Sequence, residues 1–175
     1  MKLTKKLLAM ALAGVMLLTI LTGCSGGKTG DRLVEEYMAT FISENSVDIP
    51  ITHDVPEIKT VAEKFDPSWL DVNGSWNIRG GNNSTDERCQ ALQKVFSKYS
   101  NSNGYTVTLV AFEVDSTQSE LDQAMRVMMS SFYSGLMVYS SGGVTTAVKC
   151  ATRLVTKEGK SYRIAVIIYD HHAAG

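Results

Sequence analysis

Few residues in this chain are of a type and spacing that could do chemistry. Glu113 and Glu120 are the acids best placed for it. Two carboxylates facing one cleft can act as general acid and base when their surroundings separate their pKa values. A histidine or Tyr133 would complete such a group. The three histidines are poorly spaced for a metal: His53 precedes a predicted helix, and His171 and His172 follow the last strand. Neighbours in an extended segment point oppositely, so His171 and His172 are expected on an exposed tail and not on one ion. No Gly-x-Ser-x-Gly elbow is present, and Ser140-Ser141-Gly142-Gly143 reads as a turn before a strand. The glycines of Arg79-Gly80-Gly81-Asn82-Asn83 lack the strand and helix that a phosphate loop bridges. Met125, Met128 and Met129 fit the inward face of a helix, where methionine fills gaps in a core. Trp69 and Trp76 fall in a long Gly- and Asn-rich stretch, either as aromatic anchors for a ligand or folded back as a lid. No cofactor and no metal are expected. Cys89 and Cys150 each lie on an apolar face and read either as a disulfide or as two buried thiols.

The elements that must position these residues follow from periodicity. Asp31–Ser46 carries Leu33, Val34, Tyr37, Phe41 and Ile42 at helical spacing. Asp54-Val55-Pro56 reads as a cap and a first-turn proline for a helix with Ile58, Val61, Ala62 and Phe65 on one side. Asp66–Thr85 is expected to be irregular. Ser84 and Glu87 form a capping-box pattern ahead of Cys89, Leu92, Phe96 and Tyr99. Tyr105–Val114 alternates and is rich in Val, Thr and aromatic residues, a strand pattern. Thr117 and Glu120 form a second capping box, with Leu121, Ala124 and the three methionines turned inward behind it. Val144–Val155 places Val144, Val148, Cys150 and Leu154 on one face. A turn at Lys157-Glu158-Gly159-Lys160 leads into Tyr162–Tyr169, which is apolar on both faces and so needs a layer on each side. The order predicts an α/β fold: a three-layer α-β-α sandwich around a small, largely antiparallel sheet.

The first residues are of another kind. Met1–Lys6 holds three lysines and no acid, and Leu7–Ile20 is an apolar run too short to span a bilayer comfortably. The run closes in Leu21-Thr22-Gly23-Cys24, which resembles the lipobox of bacterial lipoproteins: an aliphatic residue, two small residues and the cysteine that is acylated. The resemblance implies cleavage before Cys24, lipid (palmitate) on Cys24, and a domain held on the extracytoplasmic face of a bacterial cell membrane. Two acyl chains anchor stably where one holds only marginally. Residues 1–23 are then signal peptide, 24–30 a flexible tether, and 31–175 one globular domain. Cleavage removes three of the 17 basic residues, leaving 14 against 18 acids, a net charge of −4. Without a basic stripe, nucleic acid is not an expected partner.

The order of elements, with Ser116-Thr117-Gln118-Ser119-Glu120 before a helix and Gly159-Lys160-Ser161-Tyr162 in a hairpin, resembles the CAP domain (cysteine-rich secretory, antigen-5 and pathogenesis-related proteins). Members with a metal cleft use two histidines and two acids. Here Ser75-Trp76 stands where the first histidine would follow serine. Ser130-Ser131-Phe132-Tyr133-Ser134 stands where Ser-x-Gly-His-Arg would close the fourth helix. Only Glu113 and Glu120 fall near the acidic positions, so the resemblance implies a degenerate cleft. The expectation is a lipid-anchored binding module without catalysis, its ligand an envelope glycan, protein or lipid. Trp76, Glu113, Glu120 and Tyr133 are the ligand-binding candidates. The alternatives are a metal- or carboxylate-dependent hydrolase of the envelope and a structural component of an envelope assembly.

Overall fold

The computed structural model describes residues 30–45, 49–72, 74–79, 90–92, 94–99, 103–135 and 145–171, with the backbone alone at 45, 75–79 and 131–135. Helix α1 (Gly30–Asn45) buries Val34, Tyr37, Met38 and Ile42, one stripe at helical spacing. The two-residue strand β1 (Ile51–Thr52) follows, then α2 (Ile58–Lys64). Asp54 does not cap α2: Glu57 is the N-cap residue, and Pro56 sits in the turn before it, its carbonyl accepting from Lys59 N–H. A 3-10 turn, Pro67–Trp69, is capped by Asp66, whose side chain accepts from Ser68 N–H.

The stretch read as irregular contains a strand, β2 (Ser75–Arg79), paired antiparallel with β3 (Tyr105–Val114). β3 has the predicted bounds. Helix α3 (Glu120–Gly135) begins later than the Thr117–Glu120 box implied. Ser119 and Asp122 make the reciprocal cap, Ser119 N–H donating to Asp122 Oδ2 and Asp122 N–H to Ser119 Oγ. Asp115 Oδ1 separately accepts from Thr117 N–H and ties the turn before it.

Strands β4 (Ala147–Lys157) and β5 (Lys160–Asp170) form a hairpin over Glu158 and Gly159, both left-handed at φ 53° and 76°. Positive φ at both central residues is the turn that matches strand twist in a two-residue hairpin. The sheet order is β1-β4-β5-β3-β2, antiparallel except where β1 runs parallel to β4.

β5 is central and covered on both faces, as its double apolar pattern requires. Tyr162, Ile164, Val166 and Ile168 join Val107, Leu109 and Ala111 under α2, Leu92 and Phe96. Ala165 and Ile167 join Val110, Phe112, Val148 and Cys150 under α1 and α3. The class is therefore mixed α/β.

Three expectations fail in detail. α3 turns Val127 inward with Ala124 and Met128, which leaves Met125 and Met129 exposed. Leu154 follows Val148 and Cys150 on one face of β4, but toward the hairpin end, where it is exposed and not part of the core. His171 is not on a loose tail: its ring contacts Thr106 Oγ1 at 3.0 Å and Thr145 Oγ1 at 3.3 Å and stacks on Tyr169.

Candidate functional site

A helix laid along the margin of a sheet must do something about that margin's unpaired N–H groups, and α1 does it with carboxylates. β1 covers only Val148 and Lys149 of β4. Farther along, Thr152 N–H donates to Glu35 Oε1 at 2.8 Å and Leu154 N–H to Asp31 Oδ1 at 2.9 Å. The same Asp31 oxygen accepts from Arg163 Nη1. Arg163 is one of the most deeply buried large side chains, and its Nε donates to Gln123 Oε1 of α3 at 2.8 Å. A guanidinium is paid for in such a place only by partners on its donors, and these supply them.

Three reactive side chains continue this seam. Cys150 Sγ lies 3.5 Å from His53 Nδ1, and Glu35 Oε2 lies 3.6 Å from the same nitrogen. Burial raises the Glu35 carboxyl, opposed by its bond from Thr152. Burial lowers the His53 imidazole, helped by Arg32. The Cys150 thiol is pushed up to about 12, first by burial and then by the nearby Glu35. All three shifts favour the uncharged form. A thiol this buried is almost wholly protonated at neutral pH, whereas the nucleophile is the thiolate. Both neighbours meet one ring nitrogen, so His53 does not link acid to thiol through its two nitrogens as a relay would. Among the described residues no group of three or more His, Cys, Asp or Glu side chains is disposed to hold a metal ion.

The sequence-derived candidates lie elsewhere. Glu113 lines an open depression of about 420 Å³ with Leu154, Lys160 and Gln118, and Lys160 Nζ pairs with it at 3.0 Å. Glu120 is not among the lining residues: a methyl placed on Gly30 would sit 3.4 Å from its Oε1. Glu120 thus lies outside the depression that Glu113 lines. Trp76 pairs in register with Ala111, and Tyr133 lies in the last turns of α3; their side chains fall outside the described set. Trp69 is half-buried, edge-on to Phe65 at 6.1 Å, as a lid. Cys150 carries a free thiol, while Cys24, Cys89, His172 and the Ser140–Gly143 turn lie outside the described residues.

A second open depression, about 440 Å³, adjoins the first through Gln118, which lines both; Met125, Met129, Asp122, Arg126 and Ser130 complete it. Met129 is 73 % exposed, Leu154 44 % and Met125 41 %. Arg126 lies over the Phe112 ring at 4.4 Å and reaches the Glu113 carbonyl. Of the acids of this rim the sequence pointed to Glu113 alone, not to Asp115 or Asp122, and its apolar side chains read as core. Nothing in the pattern signalled the seam, because Arg163 sits in an apolar run and Asp31 and Glu35 are on a helix's polar back. No family model, no curated protein and no solved structure matches the chain.

Proposed function

We propose that the chain is a lipid-anchored, extracytoplasmic binding module without catalytic activity, whose contact surface is the open rim around Gln118. The anchoring half rests on Leu21-Thr22-Gly23-Cys24 behind a lysine-rich, then apolar, N-terminus. The binding half rests on one observation: Leu154, Met125 and Met129 stand in water around two adjoining depressions. Contiguous exposed apolar surface with a polar border marks interaction sites. The residues with reactive side chains support the non-catalytic reading, since Cys150, His53 and Glu35 are turned inward and held toward their neutral forms. The succession of strand β3, helix α3 and the closing hairpin supports a degenerate CAP-like layout, to which β1 and β2 are additions.

Two experiments test the reading. Growth with labelled palmitate should mark the chain, and Cys24→Ser should lose the label; an unlabelled wild-type chain ends the anchoring half. For the surface, a photo-crosslinking residue at Met129 should give a defined adduct in intact envelopes, while one at the exposed Lys59 of α2 should not. Equal yields at the two positions would end the binding half.

A further inference from the structure

The start of α1 and the rim lie at one end of the domain. Gly30 opens α1 beside Glu120, the first residue of α3. Asp31 then fixes that entry point to Arg163 and to Leu154 N–H. The turn closed by Gly74 N–H on the Asp71 carbonyl sits at the same end, its Gly74 carbonyl accepting from Glu113 N–H. That turn carries Val72, which is fully exposed. Hence two of the four large apolar side chains that the described residues leave exposed, Val72 and Leu154, lie at the end where α1 starts. The other two, Met125 and Met129, are on the α3 face rising from it.

We infer that this rim docks on the phospholipid surface in which the acylated Cys24 is anchored, so that Val72, Leu154, Met125 and Met129 seat at the lipid interface. The inference rests on the lipid anchor proposed above and names the ligand of that same rim. Its first support is reach. Five residues, Ser25 to Thr29, separate Cys24 from Gly30, six chain steps of at most about 21 Å when extended, so the bilayer is the surface the rim meets continually and at high effective concentration. The second is charge. Lys160 is taken by Glu113, Asp115 and Asp122 are bonded to the turns at Thr117 and Ser119, and Arg126 covers Phe112. These three acids stand against two bases, a net charge of −1 with every charged group engaged within the domain, which suits a zwitterionic interface better than a strongly anionic ligand.

The test uses the full chain purified from membranes and reconstituted in phosphatidylcholine vesicles. Intact mass is read first. A chain lacking the acyl mass overturns the anchored reading and this inference with it. With the acyl mass present, amide exchange is compared between wild type and the triple variant Val72→Ser, Leu154→Ser, Met129→Ser, whose sites are exposed and leave the core intact. Docking predicts exchange about tenfold slower in wild type over residues 71–75 and 157–161, as for a rim held down in nine molecules of ten, with α2 unchanged. Equal exchange in the two proteins sinks the inference alone. So does slowing that grows with protein density in the membrane, because a second copy would then be what covers the rim.

Discussion

The seam beneath α1 and the rim at the hairpin end invert the usual placement of side chains. In the seam, Arg163, Glu35 and Gln123 are buried, and every charge meets a fixed partner. At the rim, methionine, leucine and valine face water while Lys160 and Glu113 pair in the open. Charges inside a protein are held by geometry or cost several kcal/mol; apolar groups outside it cost the fold little and are kept for what they touch. The reactive-looking region is thus bonded into the fold, and the chemically plain one is the surface proposed above for contact. Perturbing the two should therefore give effects of very different size.

The largest is expected at Arg163→Met, which leaves Asp31 without its guanidinium. A loss of about 3–5 kcal/mol in urea unfolding is expected, and pairing it with Asp31→Leu should recover part of that. A loss under about 1 kcal/mol would mean that the seam is as soft as the surface. Glu35→Ala comes next: Thr152 N–H loses its acceptor, for about 1–3 kcal/mol, read by the same titration.

The pH profile sharpens the contrast further. Folding lowers the affinity of His53 for a proton, so its contribution is full above its unfolded value of 6.5 and is lost as pH falls below that. Glu35 has the opposite sign: its folded value lies above 4.5, so protonation adds stability as pH falls toward that figure. His53→Gln should therefore flatten the fall in stability from pH 7 to 5, and a profile identical to wild type would disconnect His53 from the seam. Met129→Ser and Leu154→Ser should each shift stability by no more than about 0.5 kcal/mol, the smallest effects, while Leu154→Ser should weaken the photo-adduct formed from position 129.

Much of the sheet could be read from residue order. Tyr105–Val114 alternates among β-formers with few competing signals, and Tyr162–Tyr169 is apolar on both faces because the central strand has no wet side. β2 could not be read, since a five-residue edge strand amid Gly and Asn offers little periodicity and gains its pairing only from β3. In α3, Leu121, Ala124, Met125, Val127, Met128 and Met129 outline two overlapping stripes. Which one is buried depends on α1, a contact separated from it by about half of the chain. Arg163 was illegible for a similar reason: its partners come from α1, α3 and β4, and only the folded chain collects them.

The bonding of β4 to α1 has one more consequence. An outer strand with free N–H groups is a template onto which another chain can grow, and crowding in two dimensions multiplies such encounters. With Thr152 and Leu154 already donating to side-chain oxygens, this border is sealed by acids that bring no backbone ladder for a neighbour to extend. Molecules packed on a shared surface, as proposed for this one, could then crowd without stitching into fibres along β4, and the helix nearest the tether would be what keeps them apart.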